Sequence, residues 1–182
     1  ELSFVSQYWN HPKYIEAFVE RGNQYNWKDY DHVIFSYHGL PERHVDKVYN
    51  KGLCNDKDCL HEVNDENKYC YKAMCYGTTR LIAERMNIPE EKYTVSFQSR
   101  LDNKWIEPFS DAIVEQKAKE GSKKLLIFSP AFVADCLETT IEIGLEYQEI
   151  FEEHGGEKVQ LVESLNDHPI WIEALEEMVK SR

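Results

Sequence analysis

Short apolar runs alternate along this chain with segments of helical periodicity, and that alternation limits the fold more than any other feature. Five runs read as strands: residues 2–6 (Leu-Ser-Phe-Val-Ser), 32–37, Tyr93–Gln98, Lys124–Phe128 and Val159–Glu163. Between and after them lie helical patterns. Pro12 opens the first, with Gly22 stopping it, and the others run Ala73–Asn87, Pro108–Lys119, Asp135–His154 and Pro169–Lys180. Crossovers of helical length join parallel strands, so the expected class is α/β, a doubly wound parallel sheet with helices on both faces. At 182 residues the chain suits one domain.

A parallel sheet gathers its strand ends at one edge, where ligands of open α/β sheets bind. The clearest strand end is Val33-Ile34-Phe35-Ser36-Tyr37-His38-Gly39-Leu40-Pro41, where an apolar run stops at polar groups and Gly39 and Pro41 forbid its continuation. All five runs meet a serine (Ser6, Ser36, Ser99, Ser129 and Ser164), several with further polar neighbours such as His38 and Arg100. Together these groups are expected to line a shared cleft, although serine is also a common turn and cap residue. The formal net charge of −12 excludes a basic nucleic-acid-binding stripe and suits a cationic ligand.

Within residues 135–154, Glu138, Glu142 and Glu146 recur every fourth position, opposite an apolar stripe of Leu137, Ile141, Gly144, Tyr147 and Phe151. In an α-helix they form one ladder, and no Lys or Arg between Asp135 and His154 relieves their repulsion. A hard divalent cation would. Four of the five cysteines, Cys54, Cys59, Cys70 and Cys75, fall within 22 residues in a polar segment. Four thiolates suit either zinc or an iron–sulfur cluster, and their spacing does not choose between them.

Four stretches resemble the ferrochelatase family: Ser-Tyr-His-Gly-Leu-Pro (36–41), Phe-Gln-Ser-Arg (97–100) with Trp105 and Pro108, Ser-Pro-Ala-Phe-Val-Ala-Asp-Cys-Leu-Glu-Thr (129–139), and Leu-Asn-Asp-His-Pro-Ile-Trp (165–171). The resemblance implies insertion of Fe²⁺, as substrate, into a porphyrin such as protoporphyrin IX to form haem. It also implies two similar α/β halves, of which residues 1–182 resemble the carboxyl-terminal one; the first residue, Glu1, agrees with a truncated chain. By resemblance His38 is the acceptor of pyrrole protons or a metal contact, Glu138 the catalytic glutamate, and Glu142 and Glu146 an acidic row for metal or protons. Ser36, Tyr37, Ser99, Arg100 and Trp105 fall in the porphyrin-contacting motifs. Certain bacterial members carry a 2Fe–2S cluster on four cysteines in an insert after the His-Gly-Leu-Pro motif, here residues 50–75, which favours a cluster over zinc at Cys54, Cys59, Cys70 and Cys75.

Two departures are local. Cys136 stands where many members have a histidine, and the stretch from Arg100 to Trp105 is a residue short. The further expectations are a cytoplasmic protein, peripheral contact with the inner membrane, a homodimer, and little activity in this piece without its amino-terminal half. Rival readings are a non-catalytic iron–sulfur or zinc module and a related cobalt chelatase acting on another tetrapyrrole.

Overall fold

A computed structural model describes residues 2–48 and 59–181. Its sheet has four parallel strands in the order β2-β1-β3-β4: β1 (His32–His38), β2 (Tyr93–Gln98), β3 (Lys124–Phe128) and β4 (Lys158–Leu161). The helices are α1 (Pro12–Asn23), the short α2 (Glu42–Val45), α3 (Tyr71–Met86), α4 (Ser110–Lys119), α5 (Tyr147–Glu153) and α6 (Pro169–Lys180). A π-helix, Glu138–Glu146, leads directly into α5.

Strand side chains alternate between the two faces, and this builds two cores. Val33, Phe35 and Tyr37 of β1 join Leu126 and Phe128 of β3 under α1, α3 and α6. Ile34, Leu125 and Ile127 face the other way, under Val114 of α4 and Ile143, Tyr147 and Phe151 of the π-helix and α5. Phe35 and Phe128 stack at 4.8 Å between ring centroids, each fully buried. Burial of such a side chain contributes roughly 1.5–3 kcal/mol. The doubly wound class is therefore correct.

Several boundaries differ from the sequence reading. Residues 2–6 form no strand: Leu2 and Phe4 are 87% and 77% exposed, and no described strand pairs with them. Apolar alternation marks a residue run that can pair, but a partner must supply the hydrogen bonds. Gly22 does not stop α1, which continues to Asn23. A Cβ there would sit 2.6 Å from the Phe128 ring and 2.8 Å from the Met86 sulfur, so the glycine permits α1 to lie close on the sheet. Asn87, left-handed at φ 53°, ends α3. Ser36, Ser129 and Ser164 are buried rather than cleft-lining.

The largest difference is in 135–154. Across Glu138–Glu146 the backbone bonds i→i+5 in place of i→i+4, and the buried positions become Thr139, Ile143, Tyr147 and Phe151, four apart throughout. Leu137 and Ile141, expected on the packing stripe, are exposed. Wider winding rotates each successive residue less than an α-helix does, so the 3.6-residue stripe no longer faces the sheet.

Both sheet edges are occupied. Phe97 of β2 donates its N–H outward to the Pro108 carbonyl at 2.8 Å. On β4, Val159 N–H donates to Gln148 Oε1 at 2.6 Å, and Gln160 Nε2 donates to the Leu161 carbonyl at 2.9 Å. Among the described residues no helix is long and apolar enough to cross a membrane.

Candidate functional site

β1 lies inside the sheet, and the chain leaves it first to one side, for β2, and then crosses to the other, for β3. This topological switch opens a crevice beyond the carboxyl end of β1. His38 occupies that end. Its Nδ1 lies 2.6 Å from the Gly39 carbonyl oxygen. A carbonyl only accepts, so Nδ1 carries the proton and a neutral ring keeps its lone pair on Nε2. The ring sits 6.2 Å from Trp105 and 5.8 Å from Phe132 between centroids, and the Tyr71 hydroxyl donates to the His38 carbonyl at 2.9 Å. Gly39 N–H donates to the Gln98 carbonyl at 2.8 Å, locking the loop to β2.

Glu138 opens the π-helix beside this histidine. Its carboxyl is held below the usual range first by its own backbone N–H and then by the Cys136 thiol; desolvation opposes them, and the charge of His38 adds a lesser lowering. It therefore favours the ionised form. Glu142 is turned differently. Its Oε1 accepts from Ser99 N–H at 2.7 Å and from the Tyr147 hydroxyl at 3.1 Å; its Oε2 accepts from Ser99 Oγ at 2.5 Å and Gln98 Nε2 at 3.1 Å. Burial, and then this carboxylate, push the Tyr147 phenol up. Glu146, one step further, is exposed. The three glutamates are thus unequal: one is near enough to His38 to feel its charge, one is engaged with Gln98, Ser99 and α5, and one is open to solvent.

An apolar cleft of about 320 Å³ adjoins His38, lined by Tyr8, Trp9, Tyr14, Tyr37, Tyr71 and Pro130 among others. Tyr37 contributes to it while its hydroxyl bonds Thr79 at 2.8 Å. Ser36 does not: it is fully buried, with its hydroxyl 2.8 Å from Gln98 Oε1 and from Ser110 Oγ. Arg100 reaches Asp111 and Asn103, each at 2.7 Å, and covers the Phe109 ring at 4.0 Å, so its guanidinium is committed to α4 and its approach. Sequence reasoning singled out neither Gln98 nor the aromatic lining from Tyr8, Trp9 and Tyr71. The adjacent Tyr8-Trp9 pair was a usable signal; a lone glutamine inside a strand was not.

Cys54 lies outside the described residues. Cys70, at the N-cap of α3, and Cys75 are buried, and Cys59 packs half-buried against the same core. Burial pushes the Cys75 thiol up, opposed by the Tyr71 hydroxyl, and Cys70 is near enough to add to the rise. A bound cation would reverse that shift by favouring thiolate. Cys70 and Cys75 thus lie close to one another at the start of α3. Among the described residues no group of three or more His, Cys, Asp or Glu side chains is arranged to hold a metal ion.

Comparison with known proteins places this geometry. The family model described as Ferrochelatase matches residues 1–182. A ferrochelatase of Pseudomonas putida is 44% identical over 183 residues, covering 98% of this chain and 54% of the relative. One of Pseudomonas fluorescens is 46% identical over 179 residues, covering 96% and 52%, and one of Pseudomonas entomophila 43% identical over 185 residues, covering 100% and 55%. The chain spans about half the length of these curated relatives. With a match along its whole length, the chain belongs to the ferrochelatase family.

Proposed function

We propose that the full-length protein inserts Fe²⁺ into protoporphyrin IX to form haem, and that residues 1–182 supply its carboxyl-terminal α/β domain and its proton acceptor. The reaction involves no change of oxidation state. Four iron–nitrogen bonds form, two pyrrole N–H bonds break, and two protons leave. A base is needed at the macrocycle, together with oxygen ligands that bind iron weakly enough to release it. The observation that carries the reading is the pair His38 and Glu138, with Nε2 as the open basic nitrogen of the histidine, beside an aromatic cleft. The aromatic lining suits an apolar ligand. In this reading His38 takes the pyrrole protons, and the ionised Glu138 stabilises the imidazolium or contacts the metal. Glu146 is the outer member of a path for metal or protons, and Tyr37 and Trp105 contact the porphyrin.

Residues 50–75 are a cysteine-rich insert whose Cys54, Cys59, Cys70 and Cys75 hold a 2Fe–2S cluster with a structural or sensory role; the reading rests on the four-cysteine pattern after the His-Gly-Leu-Pro motif. Such a cluster would supply electron storage and cross-linking, not metalation chemistry. The protein is cytoplasmic, touches the inner membrane peripherally to collect its porphyrin, and forms a homodimer.

The test is anaerobic Fe²⁺ insertion into protoporphyrin followed by absorbance, using residues 1–182, the full-length protein, and full-length His38→Ala. Turnover is expected only in the full-length wild type. A folded full-length protein inactive with every porphyrin and divalent metal tried would overturn the reading, and full activity of His38→Ala would remove that residue from it.

A further inference from the structure

Gln98 is a polar side chain that is only 1% exposed, at the end of β2 directly opposite His38 in the β1–β2 register. All its hydrogen-bonding groups are used. Oε1 accepts from Ser36 Oγ at 2.8 Å and Ser129 Oγ at 3.4 Å; Nε2 donates to the Glu138 carbonyl at 2.7 Å and to Glu142 Oε2 at 3.1 Å. Two acceptors on one side require the nitrogen there, which settles the orientation of the amide. The serines behind it are ordered in the same sense. Ser36 gives its proton to Gln98, so it receives one from Ser110, which in turn receives one from Ser96, each at 2.8 Å. A directed chain of hydroxyls thus runs from Ser96 of β2 by way of Ser110 of α4 to Ser36 of β1 and ends on this amide.

From this geometry we propose that Gln98 is a positioning residue for the reaction: its amide clamps the first turn of the π-helix to β2, the strand paired with the one that carries His38. The inference deepens the chelatase reading and rests on it for its kinetic consequences. A wide π-turn is a poorly favoured winding that surroundings must hold. Here one buried amide donates to the carbonyl of Glu138, the first residue of that winding, and to the carboxylate of Glu142 one turn later. Glu142 also accepts two bonds from Ser99, so the end of β2 and the residue after it hold the π-helix through four hydrogen bonds. The distance between His38 and Glu138 is therefore set by β2 rather than by contact between their own side chains. In the same geometry Glu142 serves as the clamp's counter-charge; as a metal ligand it would have to break bonds to four donors.

The experiment uses the full-length protein with Gln98→Met, similar in size without the amide, and Gln98→Glu, which keeps the acceptor and loses both donors. Porphyrin binding is read by fluorescence and metalation by absorbance. The groups that bear on the pH response are Glu138 and Glu142 on the π-helix, Tyr147 on α5, His38 on β1, and Asp111 on α4 with its partner Arg100. Loss of an outer-shell partner typically costs about 10- to 100-fold in activity. That loss is expected in kcat for Gln98→Met, with KM for porphyrin within about twofold. Gln98→Glu is expected to be equally poor near neutrality and to recover at lower pH, where the introduced carboxyl is protonated and can donate again. Amide hydrogen exchange across Glu138–Glu146 should quicken in Gln98→Met while exchange in β3 stays slow. Wild-type kcat and exchange in Gln98→Met would overturn the clamp, as would a Gln98→Glu pH profile unchanged from wild type. If the wild-type protein metalates nothing, the chelatase reading fails, and the exchange data decide the clamp on their own.

Discussion

Ser99 has a left-handed backbone, φ 61°, in a residue that is not glycine. It also makes two of the four bonds to Glu142, from its N–H at 2.7 Å and its hydroxyl at 2.5 Å. Those two facts predict an inverted order of substitution. A hydrogen bond to a charged group contributes about 1.5–3 kcal/mol, and both partners here are partly exposed, so the low end applies. Ser99→Ala loses that bond and keeps the backbone strain, which gives a destabilisation of about 1.5 kcal/mol. Ser99→Gly loses the same bond but relieves roughly 1–2 kcal/mol of left-handed strain. It also gives back about 0.4–1 kcal/mol through a more flexible unfolded chain. The net expectation is that Gly is more stable than Ala by ~0.5–1 kcal/mol, the reverse of an ordinary site. Urea unfolding of residues 1–182 followed by circular dichroism, with equal m-values, measures the difference, and Ser99→Ala should also lower Tm by about 3–6 °C. If Gly is the less stable of the two, the strain assigned to this position is absent and the account of how β2 meets the π-helix is wrong.

Glu138 gives a pH test. Its pKa is depressed in the fold, first by its own N–H, so the stability it contributes is present above the unfolded carboxylate value and lost as pH falls through the lower folded value. A carbon-detected titration should therefore find this carboxyl below the usual range, and His38→Ala should raise it; an unshifted carboxyl in the wild type would contradict the site geometry. Gly39→Ala tests the loop: an added methyl would stand 2.9 Å from the Gln98 carbonyl and 3.1 Å from the Trp105 ring. Overpacking of that kind costs about 1–3 kcal/mol. Thermal unfolding should show the loss and the fluorescence of Trp105 should change; wild-type values for both would mean the ring is not held there.

Where a segment's neighbours repeat its own pattern, sequence and structure agree. Tyr93–Gln98, Lys124–Phe128 and Pro169–Lys180 were legible because burial on both faces or on one stripe leaves an unbroken apolar signature. Residues 2–6 carry a similar alternation and pair with nothing described, since pairing belongs to the partner as much as to the segment. The π-winding left no mark in composition: carboxylates four apart fit an α ladder as well as a widened turn, and only the exposure of Leu137 and Ile141 distinguishes them. His38 and Glu138 were singled out by motif and by strand end, and they stand at the end of β1 and at the start of the π-helix. Ser36 was misplaced because alternation along β1 turns its side chain to the buried face toward Ser110 instead of the strand-end cleft. Gln98 was passed over for a related reason. An amide is ambiguous until its neighbours decide which end donates.

The glutamine cover on β4 has a consequence for assembly. An outer strand ordinarily offers a ladder of vacant donors and acceptors on which another chain can grow. Here Gln148 takes the outward N–H of Val159, and the side chain of Gln160 takes the Leu161 carbonyl. An incoming strand would have to displace two amides before gaining a rung, and Lys158 stands exposed at the start of the row. Replacing Gln148 by Ala would strip one of these guards. The sheet itself would be untouched, but its growing end would be open to fibrous self-templating.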